Sequence, residues 1–167
     1  MTETDDDSSF PETARLLSVT LDEASLGRDS VEVEHEREVA IFDLIEKNKF
    51  LLEAEGHDGP YTLHISLADN RLVFAISDQS GLLLQQIMLS LSPFRRIVKD
   101  YFLICDSYYA AIKTQPASKI EAIDMGRRGL HDEGSHLLME RLRGKVTVDI
   151  ATARRLFTLL CALHWKG

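Results

Sequence analysis

YTLHISLADNRLVFAISDQSGLLLQQIMLSL (residues 61–91) is the stretch that decides the fold. Tyr61, Leu63, Ile65 and Leu67 alternate with Thr62, His64 and Ser66, the period of two that puts apolar side chains on one face of a strand. Ala68-Asp69-Asn70 is turn chemistry, and Leu72, Phe74 and Ile76 then repeat the alternation. Asp78-Gln79-Ser80-Gly81 turns the chain again, and Ile87, Leu89 and Leu91 face inward against Gln86, Met88 and Ser90. Three strands joined by two short turns make an antiparallel meander with one wet face. An isolated histidine such as His64 belongs to that polar face; it does not define a metal site.

Downstream the period changes. Ser92-Pro93 offers an N-cap and a proline at the first helical position, opening a helix over about 93–113. Its apolar stripe is Phe94, Ile97, Val98, Tyr101, Cys105, Tyr108 and Ile112. Residues 117–143 follow Pro116 and read either as one helix or as a helix broken between Gly126 and Gly134, with the continuous form preferred. Val146 and Val148 mark a short strand. Asp149 caps a last helix, to about residue 164, whose run 156–163 is almost wholly apolar and therefore central to the core. Upstream, Leu17, Val19 and Leu21 alternate as a strand, and residues 34–49 form a helix whose stripe runs Val39, Phe42, Ile45 and Phe50. The sum is an α+β fold: a small antiparallel sheet, the meander plus an N-terminal strand, with several helices packed on one face. Residues 13–167 form a single domain. Residues 1–12, acidic and almost without apolar anchors, are expected to be a disordered tail.

Composition narrows the setting. The chain has 167 residues, 44% hydrophobic and 28% charged, enough for one domain with its own core. No apolar run spans a bilayer, and the acidic N-terminus is unlike a targeting presequence; a cytoplasmic protein without a membrane partner is expected. Cys105 and Cys161 both lie in apolar helical patterns, as reduced buried thiols do. The net charge of −8 is uneven, because residues 1–60 hold 17 of the 27 acids but 5 of the 19 bases. Overall acidity argues against general nucleic-acid binding, which rests on phosphate neutralisation.

Three arginine pairs carry the candidate chemistry: Arg95-Arg96, Arg127-Arg128 and Arg154-Arg155. One arginine from each, with His131, can converge on phosphate, carboxylate or an acidic peptide through bidentate hydrogen bonds. The plainer account pairs them separately with Asp100, Asp124, Asp132 and Asp149; Arg96 with Asp100, and Arg128 with Asp124 and Asp132, are i,i+4 spacings that a helix satisfies anyway. As one helix, residues 117–143 carry a ladder of alternating sign through Asp124, Arg128, Asp132, His136 and Glu140. Gly126 and Gly134 share another face with Leu130 and Leu138, where they would admit a close neighbour. Each glycine costs about 1 kcal/mol in a helix interior, so a packing reason is required.

Sharper chemistries find less support. His131, Glu133 and His136 are ligand types, but histidines five apart diverge on a helix, and the zinc-binding HExxH spacing is four. No metal or cofactor is expected. E-G-S-H around Ser135 is not a nucleophile elbow, neither a P-loop nor a dinucleotide fingerprint occurs, and no catalytic residue is assigned. Phe94, Tyr101, Phe102, Tyr108 and Tyr109 beside Arg95, Arg96 and Lys99 have the composition of a single-strand stacking platform, although the helical stripe explains most of them as core.

Three motifs, SLSPFRRIVKDYFLIC (90–105), IEAIDMGRRGLHDEGS (120–135) and TARRLFTL (152–159), resemble those of a small alphaproteobacterial family known only as an uncharacterised protein family. The resemblance runs in order over about residues 14–167. It implies a bacterial, cytoplasmic protein and brings no activity, cofactor or catalytic residue. The function expected from the residues is a non-enzymatic binding or regulatory protein. It would engage an anionic, phosphorylated ligand or an acidic protein through Arg95, Arg96, Arg127, Arg128, His131, Arg154 and Arg155, with self-association as a homodimer a further option. The alternatives are a hydrolase or transferase acting on a phosphorylated small molecule near His131, Glu133 and His136, and single-strand nucleic-acid binding.

Overall fold

The computed structural model describes residues 10–163. Its elements run β1 (Leu16–Leu21), α1 (Glu23–Leu26), α2 (Val31–Glu46), β2 (Phe50–Leu52), β3 (Tyr61–Ala68), β4 (Arg71–Ser77), β5 (Leu83–Ser90), a 3-10 turn (Ser92–Phe94), α3 (Arg95–Thr114), α4 (Ala117–Leu142), β6 (Val146–Val148) and α5 (Ile150–Ala162). The fold is α+β. The meander β3-β4-β5 is antiparallel, with Leu63 opposite Ile76 and Phe74 opposite Ile87. Its first turn needs positive φ at both central residues, and Asp69 (50°) and Asn70 (60°) supply it, as the right-handed twist of a hairpin favours. Asp78 organises the second turn, accepting from the backbone N–H groups of Ser80 and Leu82.

The N-terminal strand departs from the antiparallel expectation. β1 lies beside β3 and runs parallel to it, Val19 opposite Leu63, so the sheet is mixed, in the order β1-β3-β4-β5. A parallel pair needs a long crossover, and α1, α2 and β2 provide it. A second, two-stranded sheet pairs β2 with β6, Phe50 opposite Val148. Phe50 is therefore a strand residue and not the end of the helical stripe. The chain leaves α2 at Lys47, whose backbone is extended. Asn48 then behaves like a piece of strand: its Oδ1 accepts from Leu16 N–H at 2.7 Å and its Nδ2 donates to the Leu16 and Leu44 carbonyls.

One face of the main sheet is buried by Leu16, Leu63, Ile65, Leu72, Phe74, Ile76 and Ile87. The other is wet, and there His64 Nδ1 meets Thr20 Oγ1 at 2.7 Å across the β1–β3 register. The helices close the core. α5 is its centre: Leu156, Phe157, Leu159 and Leu160 are fully buried, with α4 on one side, α2 on the other, and α3 packed on α4. Asp149 caps α5 as expected, accepting from Thr152 N–H at 3.0 Å. Ser92 does not cap α3. Its hydroxyl receives Asn70 Nδ2 at 3.3 Å, and α3 starts three residues later, out of the 3-10 turn.

The segment 117–142 is one unbroken helix. Its glycines have the expected packing role at two positions. A Cβ on Gly134 would lie 2.2 Å from Phe157 Cζ on α5, and one on Gly126 would lie 2.8 Å from Ile104 Cδ1 on α3. The expected tail 1–12 lies outside the described residues as far as residue 9, and so does the chain end from residue 164. Residues 10–12 are placed: the Lys49 ammonium lies 5.7 Å from the Phe10 ring centroid, and the Pro11 carbonyl accepts from Ala14 N–H. No helix among the described residues is long and apolar enough to cross a membrane.

Candidate functional site

Helical spacing brings part of the arginine set together. Arg127, Arg128, His131 and Asp132 lie within two turns of α4, and Arg154 and Thr158 are four apart on α5, so each group occupies one helix face. Gly134 lets α5 approach α4, and Tyr101 of α3 closes the third side. The result is an open pocket of about 480 Å³ lined by Tyr101, Arg127, Arg128, His131, Asp132, Arg154 and Thr158.

Each charged group in it is held by an identifiable partner. Arg127 donates from Nε (3.1 Å) and Nη2 (2.6 Å) to Asp124 Oδ1, and its guanidinium lies 5.0 Å from the Tyr108 ring centroid. Arg128 Nε reaches the other oxygen of Asp124 at 3.0 Å. Hydrogen bonding from Arg127 is the main cause that holds the Asp124 carboxyl below its usual range, and Asp124 in turn holds the Arg127 guanidinium more firmly protonated. Arg154 Nε donates to Asp132 Oδ1 at 3.0 Å across the α4–α5 seam. Three guanidinium groups against the carboxylates of Asp124 and Asp132 leave the pocket net positive even with His131 neutral.

His131 is the half-buried centre of the site. Its ring packs edge-on against Phe157 (5.2 Å between centroids) and Tyr101 (5.5 Å). Its Nε2 lies 2.8 Å from Thr158 Oγ1, while Thr158 donates its one hydroxyl proton to the Arg154 carbonyl at 3.0 Å. With the Thr158 proton on the Arg154 carbonyl, Nε2 is the donor to Thr158 and the neutral ring keeps its lone pair on Nδ1; with the Thr158 proton turned to Nε2 the roles reverse. Burial lowers the pKa of His131, opposed by Asp132 and reinforced by Arg154 and Arg127. Burial also pushes the Tyr101 hydroxyl up to about 12, with Cys105 adding to the shift.

The other sequence candidates lie elsewhere. Arg95 Nη2 donates to Asn70 Oδ1 at 2.6 Å, bracing the first hairpin turn. Arg96 is almost fully exposed, 3.9 Å from Asp100. Arg155 donates to the Lys47 carbonyl, tying α5 to the end of α2. Glu133 and His136 are exposed, whereas Ser135 is buried with its hydroxyl on the His131 carbonyl. Among the described residues no three His, Cys, Asp or Glu side chains gather to hold a metal ion.

Sequence reasoning missed Tyr101, Asp132 and Thr158 as pocket residues, and it missed Arg37 altogether. Arg37 is buried on α2; its Nε, Nη1 and Nη2 donate to the carbonyls of Ala162 (2.9 Å), Gly27 (2.8 Å) and Leu163 (3.2 Å). It satisfies the free carbonyls at the end of α5. The i,i+4 spacing of Arg154 and Thr158 was the available signal for the α5 side of the pocket.

Comparison with known proteins places these residues in a lineage. The family model described as "Uncharacterised protein family (UPF0262)" matches residues 13–166. A UPF0262 protein of Azorhizobium caulinodans is 62% identical over 161 residues, covering 96% of this chain and 99% of its own. One from Rhodopseudomonas palustris is 62% identical over 153 residues, with 92% and 93% covered, and one from a Bradyrhizobium species is 60% identical over 155 residues, with 93% and 92% covered. No solved structure matches.

Proposed function

Because the chain belongs to the uncharacterised protein family UPF0262, whose description assigns no activity, we propose its function from its own side chains: a cytoplasmic, non-enzymatic binding protein for a small anion, phosphate or carboxylate in character. The observation that carries the reading is the convergence of Arg127, Arg128, His131 and Arg154 on one net-positive pocket.

The arginines divide the work. Arg127 is pinned by Asp124 and by the Tyr108 ring, so it contributes fixed charge. Arg128 and Arg154 are more exposed and keep donors beyond those used on Asp124 and Asp132. A planar guanidinium offers five N–H donors, and a single carboxylate contact leaves several for a ligand oxygen. His131 supplies proton linkage. An anion beside it favours the imidazolium, so binding draws in a proton and tightens as the pH falls toward the ordinary histidine range.

Titration of the full chain with inorganic phosphate and with acetate, followed by NMR at the arginine Nε–H groups, tests this. Arg128→Ala and Arg154→Ala are each expected to weaken binding by about tenfold, the order of one charge-assisted contact. Arg96→Ala, outside the pocket, is expected to leave it unchanged. Binding that is indifferent to both pocket substitutions would sink the reading.

A further inference from the structure

A second cavity of about 550 Å³ adjoins the basic pocket, and the two share Tyr101 and Thr158 as lining residues. Their floor is one face of α5. Arg154, Thr158 and Cys161–Ala162 follow at i, i+4 and i+7/i+8, so a single helical row passes from a guanidinium through a hydroxyl to an apolar end. At 1.5 Å per residue that row is about 12 Å long. The apolar end is walled by Val39 and Ala40 of α2 and by Phe102, Cys105 and Tyr109 of α3. Val39 and Tyr109 stay 44% and 66% exposed, a pairing of exposed apolar side chains with a concave floor that marks a binding groove. The two parts of the trough differ in net charge: Arg127, Arg128 and Arg154 outnumber Asp132 in the basic pocket, whereas Glu36, Asp43 and Asp106 stand exposed around the groove, with His35 beside them.

We propose that the basic pocket and this groove form one site, and that its ligand is an amphiphilic anion: a carboxylate or phosphate head carrying an unbranched alkyl chain of medium length. The inference rests on the anion reading above and specifies the ligand class. The head lies between Arg128, Arg154 and His131, and the chain passes Tyr101 and Thr158 and lies along Cys161 and Ala162 between α2 and α3. The acids around the groove disfavour an anionic head there and the arginines favour it in the basic pocket, so the ligand has one orientation. Cys161 suits this place as an apolar lining group, because burial pushes its thiol up to about 12 and keeps it uncharged and unreactive.

Calorimetric titration of the full chain with inorganic phosphate, decyl phosphate and decanoate, each below its micellar concentration, tests the proposal. Decyl phosphate is expected to bind at least about tenfold more tightly than inorganic phosphate, since each buried methylene adds a fraction of a decade. The Val39→Asp and Tyr109→Asp substitutions, both at exposed helix positions, are expected to abolish that gain and leave inorganic phosphate binding unchanged. Decanoate against decyl phosphate reports which head the arginines prefer. If inorganic phosphate binds and the alkyl chain adds nothing, the amphiphile inference is overturned while the anion reading stands. A gain that survives both groove substitutions overturns it as well, since the chain would then bind elsewhere. If neither phosphate nor either amphiphile binds, both readings fall.

Discussion

Replacing Gly134 by alanine tests the close approach on which the pocket depends. In an ordinary helix the exchange stabilises by about 1 kcal/mol, because alanine restricts the unfolded chain and glycine does not. Here the new methyl would sit 2.2, 2.3 and 2.6 Å from three carbons of the Phe157 ring, more than 1 Å inside contact distance. The ring cannot swing clear: Phe157 is fully buried, with Tyr101 at 6.2 Å and His131 at 5.2 Å between centroids. Overpacking costs about 1–3 kcal/mol and sometimes more; three such approaches to a ring that cannot move put this site at about 2–3 kcal/mol, and after the gain of about 1 kcal/mol from alanine the net effect is a loss of about 1–2 kcal/mol. For a chain of this size that lowers Tm by roughly 2–8 °C. Gly129 is the internal control. It is exposed on the same helix with nothing within 4 Å of its would-be Cβ, so Gly129→Ala is expected to stabilise by about 0.5–1 kcal/mol. Urea unfolding of both variants, with slopes compared to exclude a change in the unfolded state, gives the answer. A Gly134→Ala protein as stable as the parent, or a destabilised Gly129→Ala protein, would refute the reasoning. Combining Gly134→Ala with Phe157→Leu should show coupling, the double variant losing less than the two single losses together.

Three further outcomes are expected. Arg37→Ala should cost about 3 kcal/mol in urea unfolding, from charge-assisted bonds to three carbonyls, and Arg37→Lys should recover little because one ammonium cannot reproduce the guanidinium fork. Stability should fall as the pH drops from 6.5 toward the depressed pKa of His131. The unfolded chain takes up that proton first, so stability rises with pH across this window; His131→Gln, followed by thermal unfolding against pH, should flatten that part of the profile. Maleimide labelling of the native protein at pH 8 should be slow at Cys105, whose thiol burial pushes up, and slower still at Cys161, with both labelled at once in urea, as read by intact mass.

The meander was legible because one face of the sheet is wet. Alternation appears only where the two sides of a strand meet different solvents, as Thr62, His64 and Ser66 do against Leu63 and Ile65. The parallel seat of β1 was not legible, since six alternating residues say which face is buried and nothing about the direction of the neighbour. β2 is three residues long, too short for any period, and Phe50 fell into the helical stripe of α2 by accident of spacing. What ends the helix is Asn48, which exchanges backbone-like hydrogen bonds with Leu16, 32 residues away. A contact of that separation leaves no local trace. The same holds for Arg37: it stands among Glu34, Glu36 and Glu38 with no local sign of burial, and its burial depends on where α5 ends.

The pocket was half legible, and the missing half is a matter of which helices are neighbours. Spacing on α4 alone suggests a ladder from Arg128 to Asp132 to His136. In the fold Asp132 turns instead to Arg154 on α5, and His136 points to solvent. Intrahelical spacing counts the partners a helix could supply by itself, whereas a seam between helices supplies competing ones at equal distance, and the one held by a second element wins the geometry. The glycines carried the information that the charges did not. Gly126 meets Ile104 of α3, and Gly134 meets Phe157 of α5. Taken as marks of close approach, they wedge α4 between those two helices, with Arg127, Arg128 and His131 on the turns between the two contacts. A glycine that costs helix stability and is retained for a neighbour locates that neighbour's face. The crevice beside it is where side chains from three helices can meet, which is where Tyr101, His131 and Thr158 stand.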